Sequence, residues 1–265
     1  MQPYRRRYAI ALASAACLVA LTGMQSDVYA LSTCSGTYTT NQALTADIAC
    51  DNMAGITLTS GADLDLAGHE ITCNSNCPTY AINIAASGSV VKSTSTTSPA
   101  ITGFFTAAIN CNSFSSSEVT GIHFAMVGGD GLINCAKVHN NIIEGNRTLG
   151  SVGVSTTGVA ATDFITDNWI GEWDTGISVT TSHDIDIEHN QIDVEDVSGS
   201  SGEVGANVTR TGGQTTLDYN FFFGGATSAS FMQTSGTLTK YGNACDPANT
   251  TCQTCSDCRG FSIPF

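Results

Sequence analysis

An all-β solenoid, one chain wound into about eight stacked laps of short parallel strands with capped ends, is the fold this sequence predicts. The first observation is a repeat. A small residue, an aliphatic, a polar residue and an aliphatic recur every 19 to 29 residues, as Gly55-Ile56-Thr57-Leu58, Ala81-Ile82-Asn83-Ile84, Ala108-Ile109-Asn110-Cys111 and Leu132-Ile133-Asn134-Cys135. Ser151-Val152-Gly153-Val154, Gly176-Ile177-Ser178-Val179, Gly205-Ala206-Asn207-Val208 and the weaker Ala229-Ser230-Phe231-Met232 continue it. A fixed period in this range marks a stacked architecture, because one repeat cannot bury its own apolar face. The local period of two makes the stacked unit a strand.

The second observation is an asparagine inside a second alternation. It appears as Val138-His139-Asn140-Asn141-Ile142-Ile143, Ile165-Thr166-Asp167-Asn168-Trp169-Ile170, Ile187-Glu188-His189-Asn190-Gln191-Ile192 and Leu217-Asp218-Tyr219-Asn220-Phe221-Phe222. Asparagine tolerates left-handed backbone and can bond its own chain, so it suits a sharp bend between two strands. Repeated lap on lap, such amides can bond to one another as a ladder. Each lap then holds three strands: the small-aliphatic strand, one before the asparagine and one after it. Val138, Ile143, Ile165, Ile170, Ile187, Ile192, Leu217 and Phe222 fall on the inward side. The third observation is that long amphipathic helical patterns are missing, while Gly, Ser and Thr supply the corners.

Along the chain, residues 1–30 read as a signal peptide: Arg5-Arg6-Arg7, an apolar run from Tyr8 to Gly23, and the small-x-small Val28-Tyr29-Ala30 of a cleavage site. Residues 31–54 form an N-terminal cap, 55–240 the coil, and 241–265 a Cys-rich C-terminal cap that covers the open strand edges. After removal of the leader, six basic side chains face 22 acidic ones, a net charge of −16. That surface repels nucleic acid and anionic lipid. No later stretch is apolar for the ~18 residues of a membrane span, so the expectation is an exported protein without a transmembrane segment: secreted, periplasmic or on the cell surface. Ten cysteines remain in that part, an even number that reads as disulfides. Cys111 and Cys135 sit in neighbouring laps within bridging reach. Cys245, Cys252, Cys255 and Cys258 could hold zinc instead.

Together with Leu64-Asp65-Leu66-Ala67-Gly68-His69-Glu70-Ile71, these repeats resemble the right-handed parallel β-helix proteins of the pectin-lyase-like superfamily, over about residues 45–240. The resemblance implies a right-handed coil. It also implies that any carbohydrate cleft follows the outer face of the first strand and the loops leading into it. That face reads Asn83, Asn110, Asn134, Gly153, Ser178, Asn207 and Phe231, polar but without an acid, base or strong nucleophile. The basic residue and calcium-binding carboxylates of the lyases are missing there. The paired aspartates and Gly-His-Gly of polygalacturonases and the Asp-Pro-His-Asp of alginate epimerases are missing too. Fold alone does not choose among the superfamily's activities.

The loops into the first strand carry Asp130, Arg147, Glu172, Trp173, Asp174, Glu195, Asp196 and Glu203. Glu172 and Asp174 are the candidate catalytic pair, since glycoside hydrolysis needs two carboxyl groups across the scissile bond. Arg147 can grip a sugar carboxylate, and Trp173 can stack on a sugar ring. With Asn110 and Asn134 they form the candidate binding set. Calcium is the cofactor such acidic loops would take, and plain solvation of an exported rod is the alternative. On the second strand, Glu118, Lys137, His139, Asp186, Glu188, His189 and Asp218 alternate outward, as on any solvated sheet face. His183 to His189 carries a metal-like alternation explained by the same periodicity. His69 reads as a turn or packing residue, and His123 as a surface residue with no evident partner.

Three functions follow as expectations. The first is recognition of a polysaccharide or cell-surface glycan along the asparagine-lined first-strand face. The second is a carbohydrate-active enzyme (lyase, hydrolase or epimerase) using Glu172 and Asp174. The third is a structural surface or assembly module.

Overall fold

The computed structural model describes residues 27–95, 100–112, 116–126, 128–157, 163–194, 204–224 and 229–245. The chain visits three parallel sheets in rotation, one strand in each per lap. The first sheet runs from Ser35–Tyr38 to Ala229–Gln233, the second from Tyr29–Leu31 to Thr237–Tyr241, and the third from Ile48–Ala49 to Ala244–Cys245. They hold nine, ten and nine strands among the described residues. The parallel β-helix expected from the repeat is therefore the fold.

Like packs on like along the axis. In the second sheet Val91, Val119, Val138, Ile165, Ile187 and Leu217 lie in register. In the third, Ile71, Ile101, Phe124, Ile143, Ile170, Ile192 and Phe222 do the same. All are buried, including each of the eight residues expected inside. Every such aliphatic stabilises the coil by about 1.5–3 kcal/mol relative to exposure, and branched side chains suit a pleated, fully covered strand.

The asparagines stack as a ladder at the corner between the second and third sheets. The Nδ2 and backbone N–H of Asn141 both donate to Asn168 Oδ1, at 3.1 and 3.0 Å. Asn168 does the same to Asn190, and Asn190 to Asn220. A fifth rung, Asn243, receives Asn220. The rungs are nearly inaccessible to solvent, so each amide is satisfied internally, as burial demands. The left-handed residue is not the rung but its predecessor: Asn140, Asp167, His189 and Tyr219 have φ of 54–56°. The rung is placed by its hydrogen bonds, and the strained bend is carried one position earlier.

Two details of the frame differ from expectation. Residues 35–49, assigned to the N-terminal cap, give one strand to each sheet (Ser35–Tyr38, Gln42–Leu44, Ile48–Ala49) and make a ninth lap. Tyr29–Leu31, which spans the expected cleavage point after Ala30, pairs with Gln42–Leu44. Disulfides join Cys34 to Cys50, Cys73 to Cys77 and Cys111 to Cys135. The last is the inter-lap bridge anticipated. Cys252, Cys255 and Cys258 of the tail, most of the C-terminal cap and most of the leader lie outside the described residues.

Candidate functional site

The first-strand face is not the column that the sequence spacing suggested. Ile82 and Ile109 align with Leu132 rather than Ile133, then with Val154 rather than Val152. Close backbone approach fixes this register: a Cβ on Gly131 would lie 2.3 Å from the Gly153 carbonyl oxygen, and one on Gly153 would lie 2.7 Å from that of Gly176. The outward column is therefore Asn83, Asn110, Ile133, Ser155, Ser178 and Asn207.

Several expected ligand contacts are corrected by this placement. Asn134 sits in the turn after the strand with φ 57°; its N–H donates to the Ser155 carbonyl at 2.7 Å and its Oδ1 accepts from Thr157 N at 2.8 Å. Asn110 is buried, and its amide donates to Asn83 Oδ1 and Asn112 Oδ1, both at 3.0 Å. Trp173 is 1 % exposed, packs in the core and donates from Nε1 to the Ile143 carbonyl at 2.9 Å. A sugar ring cannot stack on it. Gly153 and Phe231 leave the outer column for the same reason of register.

Of the loop residues, Arg147 and Glu172 are brought together. The guanidinium Nη2 lies 3.3 Å from Glu172 Oε1, and Arg147 N–H donates to the Glu172 carbonyl at 2.8 Å. Both residues are left-handed, at φ 59° and 64°, a conformation that costs a side-chain-bearing residue about 1–2 kcal/mol. Asp174, the expected partner of Glu172 in catalysis, instead accepts the Gly150 N–H at 2.8 Å and shapes the preceding loop. Asp130 likewise accepts Val152 N–H at 2.9 Å, and burial raises its carboxyl. Glu195, Asp196 and Glu203 lie outside the described residues.

The carboxyl that sequence reasoning missed is Asp193. It follows inward Ile192 on the third sheet and so faces outward, yet it is only 9 % exposed. Burial pushes its carboxyl up to about 6, opposed by Arg147 and reinforced by Glu172. Its Oδ1 is buried without a hydrogen bond among the described residues. No sequence signal marks Asp193, which sits on the third strand and away from the first-strand face.

Asp193 borders a surface of different character. The outward column of the third sheet runs His123, Ile142, Trp169, Gln191 and Phe221. A groove of about 470 Å³ opens there, lined by Asn140, Ile142, Asp167, Trp169, His189 and Gln191. Trp169 is partly exposed, and its indole folds across Gly171: a Cβ there would lie 2.4 Å from Trp169 Cη2. Only glycine permits the ring to lie along the sheet. His189 stacks on Tyr219 at 5.1 Å between centroids, extending the aromatic rim. A second groove of about 400 Å³, at the Met53, Thr57, Tyr80 and Asn83 end of the first sheet, has no tryptophan.

Three histidines are paired with carboxylates. His139 Nε2 lies 3.0 Å from Glu118 Oε1, and His69 Nδ1 lies 3.3 Å from Asp47 Oδ1. His123, expected to have no partner, lies 3.0 Å from Glu144 Oε2. Burial and the like charges of Asp186 and Asp218 raise Glu188. Among the described residues no three His, Cys, Asp or Glu side chains are grouped closely enough to hold a metal ion, those of 183–189 included. No helix among them is long and apolar enough to cross a membrane. No family model, curated protein or solved structure matches the chain.

Proposed function

We propose that this chain is an exported recognition rod that binds a polysaccharide across the outer face of the third sheet, and not along the first-strand face. The observation that carries the reading is Trp169, held along the sheet over Gly171 in a groove rimmed by Asn140, Asp167, His189 and Gln191. An aromatic platform covers the apolar face of a sugar ring, while amides and carboxylates receive its hydroxyls, the combination that small-molecule sites on rigid scaffolds use. Trp169 and Gln191 sit on strands, and Asn140, Asp167 and His189 in the laddered turn beside them, which keeps the geometry fixed. Export rests on the leader-like start and the three disulfides. Membership of the pectin-lyase-like superfamily rests on the repeat motifs. The test is affinity electrophoresis of the mature protein through gels carrying a panel of soluble polysaccharides. Retardation by at least one polymer, abolished by Trp169→Ala, is the expected result. Migration that no polymer slows, or that Trp169→Ala leaves slowed, overturns the reading.

A second reading, cleavage of the bound glycan, is favoured by one observation. Asp193, raised to about 6, lies within electrostatic reach of Glu172. A carboxyl raised by burial near a second carboxyl group supplies the pair that glycoside hydrolysis needs. New reducing ends that vanish in Asp193→Asn would establish it; none from any polymer that binds would retire it.

A further inference from the structure

We infer that the ligand of the third-sheet groove is an amino-bearing polysaccharide, one of whose ammonium groups docks on Asp193 beside Trp169. The inference rests on the polysaccharide reading and narrows its ligand class.

The first argument is an unmet need. Asp193 is about nine-tenths buried, and its Oδ1 accepts no hydrogen bond among the described residues. A buried carboxylate oxygen without a donor is costly. Arg147 and Glu172 act on this carboxyl with opposite sign and are already paired with each other at 3.3 Å. Arg147 outweighs Glu172 at this carboxyl but does not offset burial, and its guanidinium is already engaged by Glu172. An ammonium that reaches the exposed edge of this carboxyl supplies the opposing charge.

The second argument is charge around the groove. One outward column of the third sheet reads His123, Ile142, Trp169, Gln191 and Phe221; the other reads Ala125, Glu144, Asp193 and Phe223, with Gly171 between the carboxylates. Neither carries Lys or Arg among the described residues. Asp167 stands at the rim, and Arg147, the cation that acts on Asp193, is paired with Glu172. Lys92 and Lys137 project from the second sheet, and Arg210 is buried on carbonyl and hydroxyl acceptors. Such a face repels a uronate polymer, is indifferent to a neutral one and attracts a polycation. Trp169 adds a ring face on which a sugar-borne ammonium gains cation–π attraction. Burial raises the Asp193 carboxyl to about 6, and an arriving ammonium would pull it down again, so binding and ionisation reinforce each other.

The third argument is reach. Gln191 and Asp193 lie two residues apart on one strand, roughly 6–7 Å, and Trp169 leans over Gly171 in the adjacent strand. One saccharide chain crossing the sheet thus meets the amide, the ring and the acid in succession.

The experiment is calorimetric titration of the mature protein at pH 7 with three hexasaccharides: β-linked glucosamine, its N-acetylated form and cellohexaose. The glucosamine oligomer is expected to bind roughly tenfold or more tighter than the other two, the worth of one hydrogen bond to a charged group. Asp193→Asn, which keeps the side chain's shape, should erase that preference while the N-acetylated oligomer binds unchanged. Its melting curve verifies folding. Equal binding of all three oligomers, or a preference that survives in Asp193→Asn, overturns this inference and leaves the polysaccharide reading standing. Binding of none, with no polymer retarding the protein in gels, overturns both.

Discussion

The two corners that flank the third sheet are built on opposite plans. Between the second and third sheets every lap from Asn141 to Asn243 repeats one turn, with a buried amide bonded above and below and a left-handed residue before it. Between the third and first sheets the described residues show no such ladder. Arg147 and Glu172 hold strained backbone and pair through solvent-facing side chains, while Asp193 nearby is buried without a donor for Oδ1. The first corner repeats one ladder of satisfied amides; the second carries no such ladder and holds a buried carboxylate oxygen without a described donor. Repetition marks what holds the coil together. Departure from it, on the same scaffold, marks where a ligand would repay the cost.

The sharpest way to break this contrast is Asn190→Ala. Its Nδ2 donates to the Ile165 carbonyl and Asn220 Oδ1, and its own Oδ1 accepts two N–H groups of Asn168. Removing it strands buried groups on three laps, and a loss of about 3 kcal/mol is expected in denaturant unfolding. A loss under ~1 kcal/mol would mean the ladder is ornament. Asp193→Asn should act in the other direction. With the folded carboxyl raised to about 6 from 3.8, the folded state keeps a proton that the unfolded chain has already released. Stability therefore falls as pH rises through that window. The amide is expected to be about 1–2 kcal/mol more stable than wild type at pH 7, with the charge-linked difference gone below about pH 4. Unfolding curves at both pH values check the sign. Glu172→Gly is the smallest effect: relief of left-handed strain outweighs an exposed ion pair, giving a gain of about 0.5 kcal/mol. Loss of stability there would mean the ion pair holds the loop.

How far the sequence exposed these features follows from their periodicity. The ladder was legible because Asn141, Asn168, Asn190 and Asn220 each precede a large apolar residue two positions on. Asn243 escaped because Lys240 occupies the inward slot of Leu217. The ninth lap escaped for a similar reason, since Ser35-Gly36-Thr37-Tyr38 lacks the aliphatic pair. On the first strand, Leu132 and Ser151 fill the small-residue slot of the sequence repeat, although Gly131 stands next to the one and Gly153 two residues from the other. Moving the Leu132 lap by one residue turns its faces over, which is how Asn134 was assigned to the groove. The glycines were the available signal. Trp173 and Trp169 look alike in sequence. Only the packing of laps tells the buried ring from the one lying on Gly171, and no local pattern reveals that Asp193 is covered.

Tryptophan fluorescence tests the central claim most directly, because the chain has two tryptophans and Trp173 is sealed in the core. Acrylamide quenching of the native protein therefore reports chiefly on Trp169. Adding a polysaccharide that retards the protein in gels should shield the quenchable fraction and shift emission to the blue. Undiminished quenching at saturating polysaccharide would place the bound glycan somewhere other than the third sheet.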